Sequence, residues 1–330
     1  MTIHMNILGE PGRDNALLLR IESGQSVTRL LFDCGDGCLQ GISFGEIQAI
    51  NHLFLSHCHM DHIGGFDSFF RCTFERETPP NNVWGPPGVG AILQHRFQGF
   101  WWNLHQGMRG SWLVHDIHED RVDTARFELN EAFEIRHDAG KTPHTGVVVA
   151  TPDFTVRALQ LEHHGPCLGY LVTESAKRNI DTAKAAQMGL RPGRWMSALK
   201  SADAAATIEI EGRSFAIDAL KRDLLTEIPG ASIAYLTDFH LDAATEARLA
   251  DELRGCNTLV CEAQYRHADA ERASKNHHTT TKLVGQLAAR AGVGKLVLMH
   301  LSERYPRAEW AEMLGECREL FPMTELPSGW

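Results

Sequence analysis

The stretch "LFLSHCHMDHIGG", residues 53–65, places three histidines and one aspartate within six positions, directly after an apolar run. The apolar run predicts a strand over 52–56, so residues 57–62 form the loop at its carboxyl end. In an extended loop His57, His59 and Asp61 occupy alternate positions and point to one side, while His62 points elsewhere. Imidazole nitrogen suits zinc, iron and manganese, and a carboxylate adds a hard oxygen ligand. The stretch therefore predicts a metal site whose geometry can serve two ions.

Later strands supply the further ligands that two ions need. His163 closes "FTVRALQLEH", Asp238 closes "SIAYLTD" and His300 closes "KLVLMH". A single histidine at a strand end is commonly structural. Three such endings alongside the cluster at 57–62 favour ligands presented by loops on a rigid sheet scaffold.

The order of predicted elements indicates layers of sheet and helix. Short β-type runs separated by turns fill the N-terminal third, and further strands are predicted up to residue 174, including "AFEIRH" at 132–137. Glu211-Gly212 has the pattern of a hairpin turn. The last third pairs each strand with a helix, around 242–254, 279–291 and 307–320. This order predicts mixed sheets inside and helices outside.

Composition limits the classes of protein and partner. The chain has 330 residues, of which 43% are apolar and 22% charged, as in ordinary globular proteins. The formal net charge of -10 argues against a surface that binds nucleic acid everywhere, so such a partner needs a local basic patch. The N-terminal residues lack the pattern of an export signal and no long apolar run is present, so we expect a cytoplasmic protein. Eight cysteines without a CxxC pair predict free thiols.

Seven segments together resemble one family. They are "LLFDCGDG", "SHCHMDHIGG", "LEHHGPCLGYLVTE", "YLTDFH", "LVCEAQY", "HTTTKLVGQLAARAGV" and "LMHLSERY". In this order they are similar to the metallo-β-lactamase fold superfamily, and within it to the ribonuclease Z branch of tRNA 3′-processing endonucleases. The family spacing selects His163 rather than His164, and His278 rather than His277. The fold that the resemblance implies is an α/β layered structure, an αββα sandwich of two mixed β-sheets with outer helices.

The resemblance also implies roles for the site residues. One divalent ion would be held by His57, His59 and His163, and the other by Asp61, His62 and His300. Asp238 and a hydroxide would bridge the two ions, most simply Zn²⁺, with Mn²⁺ or Fe²⁺ as alternatives. The hydroxide would attack phosphorus and Asp61 would orient it. The remaining roles fall to His278 as proton donor, Glu262 as its support, and Asp33 as a hydrogen-bond partner of a ligating histidine or of the loop. The plainer alternatives are a helix-capping His278, a strand-end acid at Glu262 and a solvated turn residue at Asp33.

Two insertions bear on the substrate. The family carries an arm that binds tRNA, and here the matching segment, about 174–203, holds six basic residues and one acid between 177 and 200, a net charge of +5. The basic residues, expected to bind RNA phosphates, are Lys177, Arg178, Lys184, Arg191, Arg194 and Lys200. The alternative is an exposed charged helix and loop. A second segment, about 95–120, is rich in aromatic residues. Trp101, Trp102 and Trp112 could stack bases or line a small-molecule pocket, but core or interface packing is favoured.

These observations predict a metal-dependent phosphodiesterase formed by a single domain over 1–330. Its leading substrate is the 3′ trailer of precursor tRNA, and the family resemblance implies a homodimer. The alternative enzyme is a small-molecule hydrolase of the same fold that acts on a cyclic phosphodiester, a lactone or a sulfate ester. A metal-stabilised binding protein without turnover is the third hypothesis.

Overall fold

A computed structural model describes residues 2–24, 26–200 and 206–330. The strands are β1 Thr2–Leu8, β2 Ala16–Ser23, β3 Ser26–Phe32, β4 His52–Phe54, β5 Asn81–Gly85, β6 Ser111–Ile117, β7 Arg121–Glu128, β8 His137–Pro143, β9 Val147–Ala150, β10 Phe154–Glu162, β11 Pro166–Glu174, β12 Lys177–Ile180, β13 Thr207–Ile210, β14 Arg213–Ala216, β15 Leu225–Ile228, β16 Ser232–Leu236, β17 Thr258–Glu262, β18 Lys295–Met299 and β19 Thr324–Glu325. The α-helices are α1 Phe44–Gln48, α2 Met60–Ile63, α3 Phe66–Thr73, α4 Val89–Phe97, α5 Thr182–Gln187, α6 Trp195–Lys200, α7 Ile217–Leu224, α8 Ala243–Glu252, α9 Ala270–Lys275, α10 Thr281–Ala291 and α11 Trp310–Arg318.

Two large sheets carry the first compact unit, residues 1–173 and 231–330. Strands β1 to β8 form one sheet in chain order. Its centre, β3 to β6, is parallel, and its outer strands are antiparallel. The second sheet has the order β19-β18-β17-β16-β11-β10-β9, and β16 to β19 run parallel. Both sheets are therefore mixed, as the alternation of elements predicts.

Side chains from both sheets form the central core. Phe32 and Phe54 of the first sheet stack with ring centroids 4.9 Å apart, and Phe32 also contacts Tyr235 of the second sheet. The opposite face of the first sheet is covered by α3 and α4, and that of the second by α8, α10 and α11. Alternate residues of each strand serve the two faces, as period-two geometry requires. The αββα prediction is confirmed.

A second compact unit spans Glu174–Gly230 and has its own apolar core, which includes Trp195, Leu199 and Leu220. Strand β12 pairs with β15, and β13 pairs with β14. The turn between β13 and β14 is formed by Glu211 and Gly212, both with positive φ, so the predicted hairpin is confirmed. The predicted basic insertion lies within this unit, except that residues 201–203 fall outside the described residues. The prediction of a single domain with inserted segments stays a prediction.

The strand predicted at 132–137 is wrong. Ala132 and Phe133 have φ of 53° and 56°, which no strand residue adopts, and β8 begins only at His137. The apolar character of this stretch instead comes from Phe133, which is fully buried and packs against Phe70 and Phe97. An apolar run of this length can reflect one anchored loop side chain as well as a strand.

The tryptophans of the aromatic segment, about 95–120, lie in different environments. Trp112 of β6 is fully buried in the core, and Trp102 is half-buried beside Phe133. Trp101 is 89% exposed. The expected packing role therefore holds for Trp112 and in part for Trp102, whereas Trp101 faces solvent in this chain.

All eight cysteines are free thiols, and six of them are buried. In the part of the chain that the structure describes, no helix combines the length and apolar character needed to cross a bilayer.

Candidate metal centre

Strand ends bring the proposed ligands together at one edge of the sandwich. His57 and His59 follow β4 as predicted, whereas Asp61 and His62 lie on α2 and not in an extended loop. His163, Asp238 and His300 follow β10, β16 and β18. Asp238 and His300 have φ of 50° and 51°, in the left-handed region that residues other than glycine rarely adopt. Such conformations cluster at functional sites, where the surrounding structure holds them in place. Here they turn the chain sharply at the point where each strand delivers its ligand.

Three groups of possible ligand atoms share the Asp238 carboxylate, and the third combines it with Glu262, His278 and His300. The atoms of the first group lie within 4.8 Å of one another, and so do those of the second. The first group consists of His57, His59, His163 and Asp238, and the second of Asp61, His62, Asp238 and His300. Asp238 Oδ2 lies 3.4 Å from His62 Nε2 and 3.7 Å from His57 Nε2, while Oδ1 lies 3.3 Å from His300 Nδ1. The structure therefore brings together the residues of both predicted sets, with Asp238 between them.

The histidine nitrogens that face this centre fit metal ions. His57 Nε2 and His62 Nε2 are buried and have no hydrogen-bond partner among the described residues. A buried polar atom left without a partner costs about 1–3 kcal/mol, so such atoms call for a ligand. The other ring nitrogen of each histidine is held, His57 Nδ1 by Ser56 Oγ at 3.0 Å and His62 Nδ1 by Asp33 Oδ2 at 2.8 Å. Such outer hydrogen bonds orient metal-binding imidazoles.

Burial keeps two of the histidines neutral, which is the form that binds metal. It lowers the pKa of His57 to about 2 and that of His163 to about 4. His62 differs, because the Asp238 and Asp33 carboxylates outweigh burial and raise its pKa well above the usual value. Negative charge therefore dominates around His62, and that position favours a cation.

The two carboxylates of the centre stay ionised. Burial raises the pKa of Asp61, but the neighbouring His300 and His62 side chains lower it far more. Burial acts on the pKa of Asp238 in the same way and is outweighed by His300 and His62, which lower it well below the usual value. Two carboxylates and five imidazoles thus present the mixture of oxygen and nitrogen that zinc, iron and manganese accept.

Asp33 organises the base of the centre without facing it. Its side chain is fully buried and accepts four hydrogen bonds, from Ser56 N, Ser56 Oγ, His62 Nδ1 and Tyr235 Oη, at 2.7–2.8 Å. The alternative of a solvated turn residue is therefore wrong.

His278 and Glu262 form a buried pair beside the centre. His278 Nδ1 donates to Glu262 Oε2 at 3.0 Å, and Glu262 Oε1 accepts from Phe239 N. Burial alone lowers the pKa of His278, but the Glu262 carboxylate more than compensates and raises it to about 9. His278 does not cap its helix, because that role belongs to Thr280, whose side chain accepts from Leu283 N. Nor is Glu262 a plain strand-end acid, since both of its carboxylate oxygens are engaged.

The predicted RNA-binding residues belong to the second compact unit. Five of them are exposed, and Lys177 is half-buried. Arg178 lies on β12, Lys184 on α5 and Lys200 on α6.

Sequence reasoning missed the residues that support the ligands. Ser56 contacts Asp33 and His57, Tyr235 donates to Asp33, and Gln264 Nε2 lies 3.3 Å from His300 Nδ1. Ser56 directly precedes the histidine cluster and Tyr235 lies three residues before Asp238. Proximity to a ligand in the sequence was the available signal, but these residue types are also common in ordinary strands.

Comparison with known proteins agrees with the fold. Residues 28–183 match the family model of the beta-lactamase superfamily domain. Among solved structures, a metallo-beta-lactamase fold protein from Bacillus subtilis superposes with a TM-score of 0.58 at 15% identity, covering 99% of this chain and 97% of that one. The short form of human tRNase Z gives a TM-score of 0.51 at 17% identity, covering 92% and 94%. These two likenesses show the fold.

A curated relative is much more similar in sequence. The ribonuclease Z of Deinococcus radiodurans is 49% identical over 324 residues, which are 98% of this chain and 97% of the relative. The similarity extends over nearly the whole length of both chains. The chain therefore belongs to the ribonuclease Z family and is a metal-dependent hydrolase.

Proposed function

We propose that this chain is a dinuclear phosphodiesterase that removes the 3′ trailer of precursor tRNA. The observation that carries the proposal is the Asp238 carboxylate, which two groups of ligand atoms share beside the Glu262–His278 pair. The curated relative named ribonuclease Z supports the substrate class.

The first ion would be held by His57, His59 and His163, and the second by Asp61, His62 and His300, with Asp238 between them. Zinc is the metal we propose, because five imidazoles dominate the donor set. Two bound ions supply an activated water and neutralise charge that develops on a phosphoryl oxygen.

The protein's own groups would manage the leaving group and the nucleophile. His278 Nδ1 is committed to Glu262, so Nε2 carries the proton available to a departing ribose oxygen. The ring of His278 lies 5.0 Å from that of His163 and 6.1 Å from that of His300, which places it against the metal-binding side chains. Asp61 Oδ2 accepts a hydrogen bond from His300 Nε2 at 3.3 Å and lies 3.3 Å from His62 Nε2, so its carboxylate faces both rings.

RNA binding is assigned to the basic residues between 177 and 200. Exposed lysines and arginines bind the phosphate backbone without reading bases, and each neutralised phosphate steepens the salt dependence of binding. Arg178, Lys184, Arg191 and Arg194 are exposed in a chain whose net charge is -10.

We also propose that the protein is a homodimer. Phe100, Trp101 and Leu104 are exposed by 44%, 89% and 80%, and an apolar patch of this kind on a folded protein commonly marks an interface. Sedimentation of the wild type and of Trp101→Ser tests this, because a dimer that uses the patch should dissociate at lower concentration in the variant. A wild type that sediments as a monomer at micromolar concentration removes this part of the proposal.

A two-substrate assay tests the function. The zinc-loaded protein is incubated with a precursor tRNA that bears a 3′ trailer and with bis(p-nitrophenyl) phosphate. We expect cleavage of both by the wild type. Charge reversal at Lys184, Arg191 and Arg194 should abolish RNA processing at moderate salt and leave hydrolysis of the small diester unchanged. Neutral replacements at Glu209, Glu211 and Asp218 of the same unit serve as the control.

The assay also separates the alternatives. Hydrolysis of the small diester without RNA binding, even at low salt, would favour a small-molecule hydrolase. Metal binding without turnover of either substrate would favour a binding protein. Equal loss of both activities after charge reversal would refute the assignment of the basic residues.

A further inference from the structure

A cavity of about 190 Å³ opens beside the ligands proposed for the first ion, and His57, His59 and His163 line part of it. The remaining lining residues are Cys58, Pro86, Pro87, Ile92, Gly165 and Pro166. All of these residues belong to the first compact unit. The cavity is therefore continuous with the metal centre and extends beyond it.

The walls away from the histidines offer apolar surface. Pro86 and Pro87 precede α4, Ile92 lies on α4, and Pro166 begins β11. Prolines have no N–H group and the isoleucine side chain has no polar atom, so these residues provide no donor for a phosphate or a sugar oxygen. Apolar side chains of this kind bind the faces of a nucleobase that has left its stack. The chemistry of the walls therefore favours a flat heteroaromatic ring.

The backbone around the cavity is held in place before any substrate binds. Asp116 is buried, and its Oδ1 accepts hydrogen bonds from Gly88 N at 2.8 Å and Gly90 N at 3.1 Å, which fixes the segment that follows the two prolines. On the other side, Leu168 N donates to Ser56 O at 2.9 Å, which ties the start of β11 to the residue before the histidine cluster. A preformed cavity binds a ligand at a lower entropic cost than one that must first be ordered.

The position of His278 decides which nucleoside the cavity takes. In the proposed reaction a water oxygen forms a bond to phosphorus, the bond from phosphorus to the departing oxygen breaks, and His278 donates a proton to that oxygen. When trailer removal leaves a 3′ hydroxyl on the tRNA, the departing oxygen belongs to the tRNA, and the first trailer nucleoside stays on phosphorus through its 5′ oxygen. His278 is not among the described residues that line the cavity, although its ring lies 5.0 Å from that of His163, which does line it. The departing nucleoside therefore faces His278, and the retained one is free to enter the cavity.

We propose that this cavity is a subsite for the nucleobase of the first trailer nucleoside, which it binds by the faces of the ring. The inference rests on the proposed function and specifies how the same site holds its substrate. Because the apolar walls do not read the hydrogen-bonding edges of a base, we expect cleavage to require a base at this position and to tolerate different ones.

Two chromogenic diesters with the same leaving group test the subsite. Thymidine 5′-(p-nitrophenyl phosphate) carries a nucleoside at the position of the trailer, whereas methyl p-nitrophenyl phosphate lacks it, and both release p-nitrophenolate. We expect the zinc-loaded wild type to favour the thymidine ester in kcat/KM by at least about fivefold, the lower end of what one stacked base contributes.

Ile92→Asp should bring this ratio of kcat/KM values close to one, because it places a carboxylate in the apolar wall. The two esters carry the same charge, so the ratio cancels any effect of the new carboxylate on the phosphate. The matched control is Ile135→Asp, which makes the same change at an exposed isoleucine that does not line the cavity, and it should keep the wild-type ratio.

The isomer thymidine 3′-(p-nitrophenyl phosphate) tests the direction in which the substrate lies, and its deoxyribose excludes attack by a 2′ hydroxyl. We expect a lower kcat/KM for this isomer than for the 5′ isomer. A preference for the 3′ isomer would assign the cavity to the departing nucleoside and overturn the proposal. A wild-type ratio near one, or the same ratio in the wild type and Ile92→Asp, would overturn it as well.

Calorimetric titration with thymidine 5′-phosphate and with methyl phosphate makes the same comparison without turnover. We expect the metal-loaded wild type to bind the nucleotide at least about fivefold more tightly, and Ile92→Asp to bind the two ligands alike. A protein that cleaves precursor tRNA but shows ratios near one would keep the proposed function and lose the subsite. A protein that shows the expected ratios but cleaves no precursor tRNA would keep a nucleoside subsite and lose the proposed RNA substrate.

Discussion

Replacement of Asp33 by asparagine is expected to disable one metal ligand without touching it. Asp33 Oδ1 accepts from Ser56 N, whose hydrogen is fixed by the backbone. The asparagine oxygen must therefore stay on that side, and its NH₂ group takes the place of Oδ2. An NH₂ group cannot accept from His62 Nδ1, which lies 2.8 Å from Oδ2 in the wild type. His62 would move its hydrogen to Nε2, the atom that faces the metal centre.

The size of the effect follows from these contacts. Loss of a supporting hydrogen-bond partner costs a metal site about 10- to 100-fold in affinity, which is about 1.4–2.7 kcal/mol. The free energy of unfolding should change less than the metal affinity does, because the hydroxyls of Ser56 and Tyr235 can rotate to accept a hydrogen bond from the new NH₂ group. Tyr235→Phe is the matched control, since it removes one hydrogen bond to Asp33 at about 1 kcal/mol and leaves His62 held.

Competition between the protein and a coloured zinc chelator measures the affinity, and urea unfolding of the metal-free proteins measures stability. We expect Asp33→Asn to weaken the binding of one ion at least about tenfold, and Tyr235→Phe to bind both ions as the wild type does. If Asp33→Asn retained wild-type affinity for two ions, the argument that Asp33 sets the tautomer of His62 would be wrong. If both variants lost affinity equally, the effect would be general loosening of the site.

Four further predictions follow from other contacts. His278→Ala and Glu262→Gln should each reduce kcat at least about 100-fold while metal content stays unchanged, as single-turnover kinetics and metal analysis can check. Chelation of the ions should lower the Tm, because an ion at 1,000 times its Kd stabilises the fold by about 4 kcal/mol. Gly65→Ala should lower the free energy of unfolding, measured in urea, by more than about 1–3 kcal/mol, because a Cβ at this position would lie 2.2 Å from Gly35 O. Unchanged stability would contradict this close approach. Burial, together with the nearby His52, lowers the pKa of His115 from 6.5 to about 3 in the folded protein. As pH falls, the unfolded protein therefore binds this proton at a higher pH than the folded protein does. Stability should therefore fall as pH drops from about 6.5 towards 3, and His115→Gln should flatten that part of the curve by about 1.4 kcal/mol per pH unit.

Three of the proposed ligands could be predicted because each follows an apolar strand. His163, Asp238 and His300 stand at strand ends, and parallel strands bring their carboxyl ends to one edge of a sheet. The doubled histidines could be assigned only from family spacing, since neither "EHH" nor "NHH" distinguishes its members by residue type. The structure places His163 against Asp238 and His278 against Glu262, in agreement with that spacing.

A local sequence pattern does not predict the structure where the environment of a side chain depends on distant parts of the chain. The segment at 132–137 has the composition of a strand, yet Phe133 is held in a left-handed turn by Phe70 and Phe97. Tertiary packing here overrides local preference, as it often does for β-type sequences. The same reasoning applies to Trp101 and Trp112, which are eleven positions apart and differ in exposure by nearly the whole possible range.

The hydrogen bonds that support the ligands are the hardest feature to predict, and they also determine how the centre works. Asp33 and Tyr235 are 202 residues apart, and His163 and His277 are 114 apart, so no local pattern can pair them. The first pairing requires the two sheets to be packed together, and the second requires β10 and β17 to be assembled into one sheet. A carboxylate or a carbonyl then decides which nitrogen of an imidazole carries the hydrogen, and hence which one can bind a cation. The positions of the proposed ligands are thus encoded in local sequence, whereas the hydrogen bonds that would prepare them to bind metal form only in the folded protein.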